Sequence, residues 1–265
     1  MKSYLALGFL SFALLVSGCT GAKNNATPDP ETVTSAKLNA AGAASAVTVA
    51  ATTKESAAAR VINHVPLKER KIALTFDDGP DNKYTPKILD ILKKYNIQAT
   101  FFVVGEHAEK YPEVIKRIAQ EGHVIGNHTW DHQDLVHLPN DQIQDEIKKT
   151  DDMIKSITGQ PPALFRAPYG AVSQDVKEDA ALSGHRIIGW SVDTLDWDGK
   201  SVNQIMAAVK KEAAPGAIVL QHSAGGKNGN LSNTLEALPQ IITYLQKSGY
   251  SFVTVPDLLT SLDSR

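Results

Sequence analysis

The adjacent carboxylates Asp77 and Asp78 are the residues of this sequence best placed to do chemistry. They lie in the stretch Thr75-Phe76-Asp77-Asp78-Gly79-Pro80, directly after the apolar run Lys71-Ile72-Ala73-Leu74. That run has the length and character of a buried strand, and Gly79-Pro80 is a turn signal that stops it. Successive strand side chains point to opposite faces, so the two acids do different things unless the chain bends between them. One can bind a cation while its neighbour stays free as a base. A solvated acidic turn is the plainer reading of the same six residues. A second cluster, His128-Thr129-Trp130-Asp131-His132, sets two imidazoles four residues apart. On one turn of helix or in a tight loop both can face a single point. Neutral imidazole is a common zinc ligand, and two histidines with one carboxylate leave a fourth position open, as catalytic zinc requires. Asp78 can supply that carboxylate. Two loop histidines at the surface remain the alternative.

His222 follows the apolar run Ala217-Ile218-Val219-Leu220, which carries it to a strand end. Asp193 and Asp196 lie on the preceding loop, and either can orient its ring. A carboxylate partner raises an imidazole pKa and favours the protonated acid. Arg166 has a planar fork suited to a carboxylate and can hold Asp77 ionised and oriented. A satisfied buried histidine and a structural ion pair are the corresponding non-catalytic readings.

From residue 71 onward strand-like and helix-like segments alternate. Strands are expected at 71–76, 99–104, 123–127, 163–166, 186–191, 217–221 and 251–255. Helices are expected at 85–96, 112–121, 141–158, 174–183, 202–212 and 231–248. Apolar spacings of three and four support the helices, as with Ile88, Ile91 and Leu92, or Ile143, Ile147 and Ile154. Such alternation implies parallel strands with crossover helices. The candidate residues follow five of the seven strands. A closed barrel gathers its site from the C-terminal ends of many strands, whereas an open doubly wound sheet concentrates it at one switch point. The expected fold is therefore an α/β, distorted, TIM-like barrel of seven βα units.

The whole chain has 265 residues and a formal net charge of -2, which carries no nucleic-acid footprint. Its one cysteine, Cys19, excludes an internal disulfide and a thiolate zinc site. Residues 1–19 read as an export signal: Lys2 is the basic start, residues 4–16 are apolar, and Leu15-Val16-Ser17-Gly18-Cys19 resembles a bacterial lipobox ending at a lipidated cysteine. A plain secretory signal or an uncleaved anchor is the alternative. Residues 20–69, rich in Ala, Thr and Ser, read as a flexible tether, with an Ala-rich stretch at 36–59 capable of some helix. Residues 70–265 form the globular part. The chain is expected to be exported, held through a lipid anchor on the extracytoplasmic side of a membrane, and monomeric.

Taken together, Thr75-Phe76-Asp77-Asp78-Gly79-Pro80, His128-Thr129-Trp130-Asp131-His132, Arg166-Ala167-Pro168-Tyr169-Gly170, Asp193-Thr194-Leu195-Asp196-Trp197 and Leu220-Gln221-His222 occur in the order found in one family. Residues 70–255 resemble the polysaccharide deacetylases of carbohydrate esterase family 4, the NodB homology domain. The resemblance implies that Asp77 is the catalytic base, and that Asp78, His128 and His132 bind a divalent metal, zinc first, with cobalt or another divalent ion as substitutes. It implies that Arg166 supports Asp77, that the Tyr169 backbone N–H donates to an oxyanion, and that His222 is a general acid tuned by Asp193. It makes Trp197 and Leu220 walls of a pocket for the acetyl methyl. The activity implied is removal of N-acetyl groups from N-acetylglucosamine-containing surface polysaccharide, peptidoglycan foremost and chitin-like oligomers next, with release of acetate. The same site can serve an O-acetyl esterase on xylan or another glycan, and a non-catalytic glycan-binding lipoprotein is the third reading. One departure concerns the residue after His222, often an acid in the family and here Ser223; with the Gly-rich loop 223–230 it bears on the groove rather than on the chemistry.

The lipobox reading has a direct consequence. Cys19→Ala should release the protein from the membrane fraction or block its processing, measured by fractionation and immunoblotting. Unchanged membrane retention would exclude lipidation at Cys19.

Overall fold

The computed structural model describes residues 60–263. The signal and lipidation expectations at 1–19, and the tether as far as residue 59, lie outside the described residues.

Strand β1 (Lys71–Asp77) is the centre of the fold, and its residues after Lys71 are all buried. Both of its faces are covered, as expected of a parallel strand with crossover helices. The chain continues through α1 (Thr85–Lys94), β2 (Thr100–Val103), α2 (Gly105–Lys110), α3 (Pro112–Gln120), β3 (Val124–Asn127), α4 (Asn140–Thr158) and β4 (Leu164–Phe165). It then forms α5 (Gln174–Leu182), β5 (Arg186–Ile187), β6 (Val192–Asp193), α6 (Val202–Glu212), β7 (Ile218–His222), α7 (Ser232–Lys247), β8 (Ser251–Phe252) and α8 (Val255–Asp263). Every strand pairing is parallel. The sheet runs β5-β4-β3-β2-β1-β7-β6, with β8 also on β1. This is the expected distorted barrel of parallel strands surrounded by helices.

Alternation along the strands divides the interior. Ile72, Leu74 and Phe76 of β1 join Phe101, Val103 and Val219 in a layer against α1, α3, α6 and α7. Ala73 of β1, Phe102 and Ile218 face the other way, where Leu258 and Leu259 of α8 meet them. Asp77 shares its parity with Ala73 and Thr75, so it belongs to the inner face.

The expected helices form with their buried stripes at Ile88 and Leu92, and at Ile143, Ile147 and Ile154. Local chemistry marks their ends. Asp81 Oδ1 accepts from the N–H groups of Lys83, Tyr84 and Thr85 ahead of α1. Gly159, at φ 83°, closes α4, a conformation open to glycine at little cost. Ser201 and Gln204 form a capping box at α6. Helices α2 and α8 were not expected from the sequence.

Two further expectations are corrected. The fifth strand, expected at 186–191, is two strands. Ile188 N–H still donates to Phe165 on the β4 side, but Ser191 N–H donates to Ile218 on the β7 side. The chain crosses from one end of the sheet to the other between them, and the ladder breaks there. The tether boundary at residue 69 also moves. Val65 is fully buried, and residues 62–65 form a strap across the same seam. Ile62 bridges Ile188 in parallel, and His64 bridges Ala217 in antiparallel. Gly216, at φ 85°, permits this approach, because a Cβ there would lie 1.6 Å from the Val65 carbonyl oxygen.

Phe76 and Phe101 are fully buried and stacked with ring centroids 5.1 Å apart. Phe101→Ala should therefore cost about 3–5 kcal/mol, since the packed layers around it close only partly over the void. Urea unfolding followed by far-UV circular dichroism measures this; a cost below about 1 kcal/mol would show that the layer repacks freely.

Candidate active site

The site lies where β1, β3, β4 and β7 end. Asp77 is the last residue of β1, 3 % exposed. Asp78 follows at φ 68°. This left-handed step breaks strand alternation, so both carboxylates line one cleft of about 550 Å³. The step is uncommon for a side chain other than glycine and costs of order 1 kcal/mol. The His107 ring N–H, which donates to the Asp78 carbonyl over 2.6 Å, helps hold it.

The strand β3 delivers the histidines. Asn127 Oδ1 accepts from Thr129 N–H, while its Nδ2 donates to the Ile147 carbonyl and to Asp151 of α4. Thr129 and His132 both take positive φ, and Thr129 Oγ1 accepts from the His132 N–H. The loop that results turns both rings toward Asp78. Asp78 Oδ1 is 3.4 Å from His128 Nε2 and 3.2 Å from His132 Nε2. His128 Nδ1 donates to the Arg166 carbonyl over 2.7 Å, which leaves the Nε2 lone pair aimed at the cluster. Burial disfavours the ionised form of Asp78, but the adjacent imidazoles of His128 and His132 outweigh it and hold the carboxyl well below its usual range. Burial likewise opposes protonation of His128, and Asp77 and Asp78 overcome it and raise its pKa.

These three residues are the group among the described residues able to hold a metal ion. The fit is shown by Asp78 Oδ1, which is buried and without a hydrogen-bond partner. An orphaned carboxylate oxygen is costly in a protein interior unless a cation meets it. Two imidazoles and a carboxylate match a divalent transition metal.

Asp77 borders that cluster, with Oδ2 3.7 Å from His128 Nε2, and its other oxygen is held by Arg166, a fully buried guanidinium. Arg166 Nη1 donates to Asp77 Oδ1 over 2.7 Å and to Thr75 Oγ1 over 2.9 Å. Its Nε and Nη2 donate to the carbonyls of Ile188 and Gly189. The guanidinium lies 4.1 Å above the Phe102 ring centroid. The support of Asp77 by Arg166 expected from the sequence is therefore the observed geometry.

The partner of His222 is a correction. Asp193 was expected to tune it; the ring is paired with Asp196. His222 Nδ1 donates to Asp196 Oδ1 over 2.7 Å, and His222 N–H donates to Asp196 Oδ2 over 3.0 Å. Thr234 Oγ1 donates to Asp196 Oδ2 and fixes the carboxylate from α7. Asp193 Oδ1 instead accepts from Leu195 N–H two residues on, closing its own turn. Leu195, at φ 51°, then swings Asp196 under β7. Burial lowers the His222 pKa, but the ion pair with Asp196 and the more distant Asp78 and Asp77 push it up to about 9. The imidazole is thus protonated at neutral pH.

The remaining expected residues line the cleft. Tyr169 sits in the turn Pro168–Gly170 at φ 60°, with its side chain 68 % exposed and edge-on to His132. Trp197 is 46 % exposed, and Leu220 is buried at the cleft floor. Trp190, which sequence reasoning missed, forms another wall. Its position at the C-terminal end of an expected strand was the available signal. Thr75 and Thr234, also missed, carry no sequence signal of their own, since each acts by touching a residue distant in the chain, and Asn127, missed as well, ties its loop both locally to Thr129 and at a distance to α4.

The sequence profile of the polysaccharide deacetylase family matches residues 64–188. A peptidoglycan-N-acetylglucosamine deacetylase of Bacillus cereus is 44% identical over 200 residues, covering 76% of this chain and 72% of the relative. The peptidoglycan-N-acetylmuramic acid deacetylase PdaA of Bacillus subtilis is 40% identical over 202 residues, 75% of this chain and 74% of its own. Among solved structures, the Bc1960 peptidoglycan N-acetylglucosamine deacetylase in complex with 4-naphthalen-1-yl-N-oxidanyl-benzamide superposes with a TM-score of 0.71 at 43% identity, covering 74% of this chain and 91% of that one. The chain belongs to the polysaccharide deacetylase family, carbohydrate esterase family 4. It is a glycan deacetylase by family.

The two loop aspartates should separate in experiment. In metal-free protein, the Asp196–His222 pair stabilises the fold fully below pH 6.5, and this contribution is lost as pH rises through about 9, because the folded-state pKa lies above the unfolded one. Asp196→Asn should flatten that part of the profile of Tm against pH and lower kcat roughly 10²–10⁴-fold, whereas Asp193→Asn keeps the profile. A flattened profile from Asp193→Asn and not from Asp196→Asn would reverse the assignment.

Proposed function

We propose that this protein is a metal-dependent N-deacetylase, with zinc as the metal, that releases acetate from N-acetylglucosamine units of cell-surface polysaccharide, peptidoglycan in the first place. The observation that carries the reading is the pairing of Asp77 with His222. They are register partners on adjacent parallel strands, so a carboxylate tied to Arg166 and a protonated imidazole tied to Asp196 flank the Asp78–His128–His132 cluster. Two similar proteins, both peptidoglycan deacetylases by name, support the substrate class.

Asp78, His128 and His132 would hold a divalent cation, which would supply Lewis acidity toward the acetamide. The chain's own residues do the rest. Asp77 takes the proton from the attacking water, and the ion pair with Arg166 keeps its carboxylate aimed. The Tyr169 backbone N–H donates to the developing oxyanion; losing one such donor typically costs about 10²–10³ in kcat. His222 delivers its proton to the amine nitrogen, which leaves only when protonated. Trp197, Leu220 and Trp190 form apolar walls beside the acetyl methyl. Acetate and a glucosamine unit depart. The apolar start of the chain and Cys19 support an exported, lipid-anchored protein acting outside the cytoplasmic membrane.

Asp77 and Asp78 test the reading, because adjacent and chemically alike residues are given different tasks. Asp78→Asn should lose zinc, whereas Asp77→Asn should retain zinc and lose roughly 10²–10⁴ in kcat, with no rescue by excess zinc. Elemental analysis gives the metal content, and mass spectrometry gives acetate release from peptidoglycan, chitooligosaccharides and acetylxylan. Full activity in Asp77→Asn would overturn the assignment of the base. Acetate from acetylxylan alone would turn the reading to an O-acetyl esterase.

A further inference from the structure

The seam of the barrel bears on catalysis as well as on closure. Ile188 and Gly189, where the sheet path breaks between β5 and β6, turn their carbonyls inward. These accept from Arg166 Nε at 3.2 Å and Nη2 at 2.8 Å. Arg166 is fully buried, so each of its N–H groups requires a fixed acceptor. A peptide released from both ladders has no strand of its own to fix its carbonyls. The strap supplies the missing restraint. Ile62 N–H donates to the Ile187 carbonyl and Gly189 N–H donates to the Ile62 carbonyl, both over 2.9 Å. Val65 N–H donates to the Gly216 carbonyl, and His64 Nε2 donates to the Pro215 carbonyl, which ties the other end of the strap ahead of β7. The same peptide that gives its carbonyl to Arg166 is thus clamped through its neighbouring N–H by a segment that precedes every strand of the sheet.

We propose that residues 61–65 are a positioning element for the catalytic base. The strap sets the Ile188 and Gly189 carbonyls, these set Arg166, and Arg166 sets the Asp77 carboxylate. The inference rests on reading Asp77 as the base. It assigns the strap no contact with substrate. Loosening it lets the guanidinium tilt, and a misplacement of about 1 Å at a reacting group costs up to roughly 10²-fold in rate. The cluster of Asp78, His128 and His132 takes no side-chain contact from the strap, so metal content should be indifferent to it. The face of the strap against Gly189 is close enough to be perturbed by one carbon atom. A Cβ on Gly189 would lie 1.8 Å from Asn63 Oδ1, 3.0 Å from Asn63 Cγ and 3.2 Å from Val61 Cγ1. Asn63 is itself exposed, so its side chain can be shortened without opening the core.

The test uses the full chain. Gly189→Ala should lower kcat roughly 10–10²-fold, with KM within about twofold and zinc content equal to the parent. The double variant Asn63→Ala with Gly189→Ala removes the clashing oxygen and should recover kcat to within about threefold of the parent. Ile62→Pro, which deletes the N–H that bonds to Ile187 and leaves the cleft untouched, should repeat the loss by a second route. A parent-like kcat in both Gly189→Ala and Ile62→Pro would overturn the proposal, as would a loss in both that tracks unfolding, since the strap would then serve stability alone. Asp77→Asn run beside them keeps the two readings apart. An inactive Asp77→Asn with active strap variants removes only this inference, whereas an active Asp77→Asn removes the base and the inference together.

Discussion

The buried ion pair between Arg166 and Asp77 is the interaction on which the site depends. Taking two charges out of water is expensive, and replacing such a pair with apolar side chains is often neutral or stabilising. Its presence therefore calls for a reason other than stability. Arg166 gives that reason through both ends of the residue. Its side chain holds the Asp77 carboxylate at 2.7 Å, while its carbonyl accepts from His128 Nδ1 at 2.7 Å and fixes the ring that faces Asp78. One residue at the end of β4 thereby sets the distance between the Asp77 carboxylate and the His128 ring. The surroundings hold the guanidinium still: Thr75, the Ile188 and Gly189 carbonyls, and the faces of Phe102 and Trp190.

That arrangement draws on backbone strain. Seven described residues other than glycine have positive φ, and five of them, Asp78, Thr129, His132, Tyr169 and Leu195, belong to the loops of the site. The other two are asparagines, the residue type that tolerates this region best. Strain of this kind persists where neighbours over-determine it. Here the restraints are specific: His107 on the Asp78 carbonyl, Asn127 and Thr129 within the histidine loop, Asp193 closing the turn before Leu195. The gain is directional. Each left-handed step turns a side chain or N–H into the cleft that a regular strand or helix would aim elsewhere.

The site also separates charges that would otherwise share protons. Asp78 faces two imidazoles, Asp77 faces a guanidinium, and His222 faces Asp196. Three acids of one chemical type thus take three tasks, set by partner rather than by residue. His222 remains cationic at neutral pH because Asp196 is buried beneath it.

How much of this was legible depended on range. The parallel barrel, its helices, and the gathering of Asp77, Asp78, His128, His132, Arg166 and His222 at strand ends followed from the sequence alone, because periodicity and turn residues act within a few positions. Three matters were decided only by tertiary structure. Asp193 and Asp196 are alike and three residues apart, and the choice between them turns on Leu195, whose positive φ no local pattern announces. The run 186–191 reads as one strand, and it divides because a buried guanidinium and two different neighbouring strands compete for its peptides. Residues 61–65 read as tether because five residues are too few to show a period, and many of their ties run through backbone N–H and carbonyl groups, which leave no mark on composition. Local chemistry was written in the residue types; the partners of backbone and like-charged groups were set by what the folded chain brought against them.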